Sequence, residues 1–107
     1  MLISELMLGE KLLIFRRRKG MSQFDAASHQ GVSLHKYRKW EVGNEVEGAP
    51  EILLQKIEPH EACYILRRRS DLSLVDVAKG VGRCRWWVIQ MESGKVNCQE
   101  LTEYWGI

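Results

Sequence analysis

The sequence has few cysteines and no long apolar segment. Its 107 residues include three cysteines, Cys63, Cys84 and Cys98, which are widely spaced and form no C-x-x-C pair. A disulfide scaffold and a zinc knuckle need denser or more regular cysteine spacing, so we expect neither, and no metal site. No apolar run approaches the roughly 18 residues of a membrane helix. The N-terminus carries acids where a signal peptide carries basic residues, so we expect a cytoplasmic protein.

The net charge is also small. Sixteen basic and 14 acidic residues leave a formal charge of +2, and all of this excess lies in residues 1–50. Such an excess permits a nucleic-acid partner without requiring one. A hydrophobic share of 45% with 28% charged residues is typical of globular chains, and the length suffices for one ordinary or two very small domains.

The usual marks of catalysis are missing. His29, His35 and His60 have no carboxylate or cysteine at a recognisable spacing, and no G-x-x-x-x-G-K-[ST] loop occurs. We therefore expect neither an enzyme nor a bound cofactor.

An internal duplication organises the chain. The segment from Glu10 to Gly43 matches the segment from Glu61 to Gly94 at a constant offset of 51 residues, without a gap. Each repeat holds enough apolar positions for a small core, so we predict two domains, residues 1–57 and 58–107. The identical pairs are Glu10/Glu61, Ile14/Ile65, Arg16/Arg67, Arg17/Arg68, Arg18/Arg69, Ser22/Ser73, Asp25/Asp76, Ala27/Ala78, Gly31/Gly82, Glu41/Glu92 and Gly43/Gly94.

Apolar spacing and capping residues predict four helices in the first unit. A basic turn followed by Gly20 ends the first helix, and Ser22 begins the second in an S-x-x-D capping pattern. Ser33 caps the third helix, and Pro50 stands at the first position of the fourth. The predicted helices span about residues 8–19, 23–29, 33–41 and 51–57.

The second unit repeats this plan. Pro59 opens a helix that runs to Arg69, Ser73 caps the next, and Gly82 makes the following turn. A third helix spans about residues 84–92, and Asn97 caps a last helix. With four helices in each unit and no convincing strand, the predicted fold class is all-α.

The first unit resembles the helix-turn-helix of the XRE family, which includes the lambda-type phage repressors and Cro proteins. The resemblance covers about residues 8–57, and a weaker match covers residues 59–105. Its motifs, in order, are the basic end of the first helix, the Ser22-Gln23 start, the Gly31-Val32-Ser33 turn and Trp40-Glu41-Val42-Gly43-Asn44. It implies two tandem lambda-repressor-like helix-turn-helix units.

The resemblance also implies a DNA-reading helix, residues 33–41, that enters the major groove. With Tyr37 and Trp40 turned to the core, Leu34, His35, Arg38 and Lys39 are expected to lie outward, with Lys36 at the flank. Three of these outward positions, Leu34, His35 and Lys39, touch bases in the family. The expected DNA-binding residues are Ser22, Gln23, Ser33, Leu34, His35, Lys36, Arg38, Lys39 and Asn44.

Two repeated charge pairs are expected to be structural. The family pairs the positions of Arg16 and Glu41 in a salt bridge between the first and third helices. We predict it in both units, as Arg16 with Glu41 and Arg67 with Glu92.

The second unit departs from the pattern where the first would read DNA. His35, Lys36 and Arg38 become Trp86, Trp87 and Ile89. Three large apolar side chains at outward positions would form an unusual patch, which another surface should cover. Alternatively, the helix is rotated and the tryptophans join its own core. The candidate interface residues are Arg85, Trp86, Trp87, Ile89 and Gln90.

The sequence thus predicts a sequence-specific regulator that binds double-stranded DNA, and a repressor of phage or mobile-element type. A homodimer on a palindromic operator is expected, because one module supplies few phosphate contacts. In one hypothesis the first unit reads DNA and the second dimerises; in another, both units bind consecutive half-sites. The alternative from another class is a protein-binding module, such as an antiactivator or antitoxin, that uses the face of Trp86 and Trp87.

Overall fold

The computed structural model describes residues 3–43 and 47–107, which form seven α-helices, a short 3-10 helix and no strand. The predicted all-α fold class is confirmed at this level. The chain divides into two compact units, residues 2–56 and residues 57–107. We call them unit one and unit two.

The described residues of unit one form three α-helices, α1 (Leu8–Arg18), α2 (Gln23–Gln30) and α3 (Leu34–Val42), which follow a 3-10 helix at Ile3–Glu5. Ser22 and Ser33 cap α2 and α3, each accepting a backbone N–H three residues ahead through its hydroxyl. Gly31 ends α2 with a φ of 68°, in the left-handed region that glycine adopts without strain.

The core of unit one lies where α3 packs on α1 and α2. Helices α1 and α3 approach closely at Gly9, where a Cβ atom would stand 2.5 Å from the carbonyl oxygens of Trp40 and Glu41. The buried cluster consists of Leu12, Ala26, Ala27, Tyr37, Trp40 and Ile52. Both aromatic rings of α3 therefore point inward and fix which of its faces is exposed.

The predicted fourth helix of unit one is wrong. Residues 51–57 contain no helix; Ile52 is buried in the core, Leu54 packs partly on it, and Leu53 between them is 87% exposed. This alternation is the side-chain pattern of an extended segment.

Unit two contains four α-helices: α4 (Pro59–Arg69), α5 (Leu74–Val81), α6 (Arg85–Glu92) and α7 (Gln99–Trp105). Their buried cluster consists of Cys63, Val77, Ala78, Val88, Met91 and Leu101. Cys98, and not Asn97 as predicted, is the N-cap of α7. The Asn97 Oδ1 atom still accepts the backbone N–H of Gln99 at 2.8 Å, so the asparagine satisfies the first amide of the helix from one residue further back.

Candidate nucleic-acid interface

Helix α3 presents a polar surface beyond its buried aromatic pair. His35, Lys36 and Arg38 are exposed, whereas Leu34 and Lys39 are half-buried. Leu34 and Lys39, predicted at outward positions, are thus only partly exposed, and Lys36, expected at the flank, is open to solvent. Asn44 lies outside the described residues.

The exposed face of α3 is held in place by its buried side. Tyr37 and Trp40 contact each other edge-on with ring centroids 6.1 Å apart, and the Trp40 indole N–H donates to the Glu47 carbonyl at 3.3 Å. The ammonium of Lys36 lies 5.9 Å from the centroid of the Trp40 ring. The rotation of α3 is thus set by packing, which keeps its charged side chains at fixed angular positions.

Helix α2 begins beside this face. Ser22 is exposed and forms a capping box with Asp25, in which the Asp25 amide donates to the serine hydroxyl at 3.0 Å. Gln23 follows at the first helical position, where backbone N–H groups have no partner within the helix and the helix dipole favours an anion. The start of α2 at Ser22 and Gln23 is therefore a position where a phosphate oxygen can accept hydrogen bonds from backbone N–H groups.

A hydrogen-bonded chain joins Gln23 to both other helices of unit one. Arg38 donates from Nε to the Gln23 Oε1 atom at 3.2 Å, and Gln23 donates from Nε2 to the Glu41 Oε1 atom at 3.0 Å. Glu41 in turn binds Arg16 of α1, whose Nε lies 2.6 Å from Oε2. Sequence reasoning missed the link between Gln23 and Arg38, which are 15 residues apart and carry no pairing signal of their own.

The two predicted ion pairs are present. Arg16 and Arg67 each make two hydrogen bonds to the carboxylate of Glu41 or Glu92, and a third to a backbone carbonyl five residues ahead. The glutamate side chains are 1% and 3% exposed. In unit one, burial and a hydrogen bond to Glu41 raise the pKa of the Tyr37 hydroxyl far above its ordinary value. These contacts mark both pairs as structural.

Helix α6 of unit two presents an apolar surface at the corresponding positions. Trp86 is 58% exposed and Ile89 is 41% exposed, while Arg85 beside them is exposed and Gln90 is half-buried. Val75 on α5, which sequence reasoning missed, is also exposed. Its position in the duplication is that of the exposed Phe24, and that alignment is the signal that could have found it.

Trp87 does not belong to this exposed surface. It packs partly against the core of unit two, and the guanidinium of Arg83 lies 5.5 Å from its ring centroid. Arg83 is itself held by a hydrogen-bonded ion pair with Glu100 at 2.8 Å. The prediction of three outward apolar side chains is therefore wrong for Trp87. We use the term apolar face for Trp86 and Ile89, which lie three residues apart on the exposed side of α6.

Other kinds of site find no support in the ranges 3–43 and 47–107. Within them, no group of three or more histidine, cysteine or acidic side chains is arranged to hold a metal ion. None of the helices described there has the length and apolar character needed to cross a membrane.

Comparison with known proteins gives no family. No family model, curated protein or solved structure matches the chain.

Proposed function

We propose that this protein is a sequence-specific regulator that binds double-stranded DNA through unit one. In this proposal α2 and α3 form a helix-turn-helix of XRE type, and α3 enters the major groove. His35, Lys36 and Arg38 face the bases or the groove edges, and the first turn of α2, with Ser22 and Gln23, faces the phosphate backbone.

The observation that carries the proposal is the chain of hydrogen bonds from Arg38 through Gln23 to the buried Glu41. It ties the candidate base-reading helix to the candidate phosphate-binding helix start, and anchors both on an ion pair with α1. A reading surface needs such support, because side chains fixed in advance lose less conformational freedom on binding.

The proposed mode of action is occupation of an operator, so that polymerase is excluded, without a cofactor. A homodimer would present two copies of α3 to a palindromic site, which makes the second contact effectively intramolecular. We assign the dimer contact to the apolar face of unit two, because exposed aromatic and aliphatic side chains grouped on one surface favour association. Phage or mobile-element control is the setting that the family resemblance suggests.

Selection from a random duplex pool at stated salt tests DNA reading. We expect an enriched inverted repeat with half-sites about one helical turn, roughly 34–36 Å, apart. Lys36→Glu and Arg38→Glu should each weaken binding to the selected duplex by tenfold or more, an estimate of about 1.4 kcal/mol or above. Lys95→Glu makes the same charge change on an exposed residue of unit two, and its affinity for the selected duplex should stay within about twofold of that of the parent chain. Absence of an enriched sequence would refute the proposal.

The dimer contact has its own test. Trp86→Glu should convert the dimer to a monomer in sedimentation equilibrium, while Lys79→Glu, an exposed change on α5, should not. If both units instead read consecutive half-sites, Trp86→Glu would leave the mass unchanged and a single chain would protect both half-sites.

A second candidate function is a protein-binding module, favoured by the exposure of Trp86. In that case the apolar face captures another protein and DNA affinity is dispensable. The absence of DNA selection, together with capture of another protein that Trp86→Glu abolishes, would favour this function over the first.

A further inference from the structure

Unit one contains a cavity of about 310 Å³ between α1 and α2. Its floor is apolar and is formed by Leu12, Phe15, Met21 and Ala26, all of which belong to or pack on the core of the unit. Lys19 and His29 stand at the rim. The volume lies at the lower end of the roughly 300–1,000 Å³ range of small-molecule sites.

In unit two, a helix packs at the position that corresponds to this cavity. Its fourth helix α7 packs on α4 and α5, and the ring of Tyr104 lies so near Gly80 that a Cβ atom there would stand 2.9 Å from it. Gly80 occupies the position of His29 in the duplication. In unit one, residues 51–57 form no helix, and Ile52 and Leu54 of this segment pack on the core instead. The ring that lies against Gly80 in unit two thus belongs to a helix that the described part of unit one does not have.

The rim of the cavity is basic. Lys19 carries its ammonium 5.2 Å from the centroid of the Phe15 ring, so the charge sits directly above the apolar floor. Ser70 and Gly80 hold the positions of Lys19 and His29 in unit two, so the basic rim is absent from that repeat. No acidic residue lines the cavity among the described residues, and the charge of Arg16 is compensated by Glu41.

We propose that this cavity binds a small amphipathic monocarboxylate. The short aliphatic or aromatic body of the ligand lies on Phe15 and Met21, and its carboxylate faces the ammonium of Lys19. A neutral ligand of equal size would gain the apolar contact but not the charge interaction, and a dianion would exceed the charge that the rim offers.

Hexanoate and benzoate are suitable probes, with hexanamide and benzamide as uncharged counterparts. Each is titrated into the full-length, isotope-labelled chain without DNA, and amide chemical shifts are followed by NMR. We expect saturable shifts in α1 and α2 with a Kd of about 1–10 mM, which is reasonable for probes of eight or nine heavy atoms. The amides of α4 and α5 serve as the internal control and should not move.

Two variants replace a residue of the cavity with the residue at the same position of unit two. Lys19→Ser should weaken carboxylate binding roughly twofold to fivefold and leave amide binding unchanged, as expected for one exposed charge contact. Ala26→Val narrows the floor and should weaken both classes of probe. Lys11→Ser, on α1 but away from the cavity, is the matched control for the loss of a lysine and should bind like the parent. An unchanged melting temperature of Lys19→Ser shows that the fold is intact.

Three results would overturn the proposal. The first is the absence of saturable shifts for either carboxylate, and the second is equal shifts in both units. The third is equal affinity for hexanoate and hexanamide, which would show that the cavity does not select an anionic ligand. Because no DNA is present, failure here is separate from failure of the proposed function.

A regulatory consequence rests on the proposed function. Arg16 and Tyr37 line the cavity, and both contact Glu41, which also binds Gln23. A bound carboxylate should therefore change DNA affinity, and DNA should change carboxylate affinity by the same factor. Anisotropy of a labelled operator with and without about 20–50 mM hexanoate, roughly two to five times the upper limit of the expected Kd, at constant ionic strength measures this factor. A factor of one would overturn the coupling and leave the binding site standing.

Discussion

Removal of the Glu41 carboxylate should destabilise unit one more than removal of Glu92 destabilises unit two. In Glu41→Ala the guanidinium of Arg16 loses hydrogen bonds of 2.6 and 3.2 Å while remaining only 15% exposed. Breaking one side of a buried pair costs about 3–5 kcal/mol, because the remaining charge is uncompensated. The same loss is expected for Glu92→Ala, where Arg67 has nearly the same exposure.

The difference between the two variants comes from a hydrogen bond that only unit one makes. Glu41 accepts from Gln23 at 3.0 Å, and the corresponding residue of unit two, Leu74, has no side-chain donor. Each net hydrogen bond contributes about 0.5–1.5 kcal/mol. Glu41→Ala should therefore cost about 0.5–1.5 kcal/mol more than Glu92→Ala.

Native-state hydrogen exchange measures these costs in each unit separately, whereas a single melting curve would mix them. A unit of about fifty residues is expected to have only a few kcal/mol of stability, so Glu41→Ala brings unit one close to unfolding. The double variant Arg16→Met/Glu41→Leu removes both charges at similar volume and should recover most of the loss. The reasoning fails if Glu41→Ala costs less than about 1 kcal/mol, or if the double variant is no more stable than the single one.

Three further changes test the described geometry. Gly9→Ala places a Cβ 2.5 Å from backbone carbonyl oxygens of α3 and should cost about 1–3 kcal/mol in urea unfolding, whereas Gly80→Ala meets only a movable tyrosine ring and should cost less. The backbone amide and hydroxyl of Ser73 hold the pKa of Asp76 below its ordinary value. The contribution of the ionised Asp76 carboxylate to stability is therefore present above about pH 3.9 and lost as pH falls through its pKa in the folded chain. Hydrogen exchange in α5 from pH 6 to pH 2 should show this dependence, and Asp76→Asn should flatten it. Burial raises the pKa of the Cys63 thiol to about 12, so a maleimide should label the exposed Cys84 in the folded chain and Cys63 only after denaturation; labelling of Cys63 at the rate of Cys84 would contradict the described core.

Much of the helix pattern could be predicted from local chemistry. Ser22, Ser33 and Ser73 stand just before runs with helical apolar spacing, and a glycine follows each of those runs, so capping residues marked both ends. The gapless duplication transferred the same boundaries to the weaker second unit. A helix was wrongly predicted for residues 51–57 because Pro50 is a good first helical residue. In the structure Leu53 is exposed and Leu54 packs partly on the core, so the two leucines lie on opposite sides of the segment.

The orientation of the exposed side chains was harder to predict. Trp87 lies near the boundary between the inner and outer faces of α6, where a shift of a few degrees decides exposure, and the Arg83 guanidinium covers part of it. Lys39 and Leu34 occupy similar boundary positions on α3. The contact between Arg38 and Gln23 depends on how α2 and α3 pack, which no periodicity in either helix encodes.

Comparison of the two units separates what maintains the fold from what distinguishes the surfaces. Both units keep the arginine–glutamate pair and the serine cap of the second helix. The polar pair of Gln23 and Arg38, in contrast, becomes Leu74 and Ile89, and His35 becomes Trp86. A loss of constraint alone would favour small or polar substitutes at exposed positions, since large apolar side chains there lower solubility. Their presence on unit two therefore favours a contact that buries them, and this is the physical reason for assigning association to unit two and DNA reading to unit one.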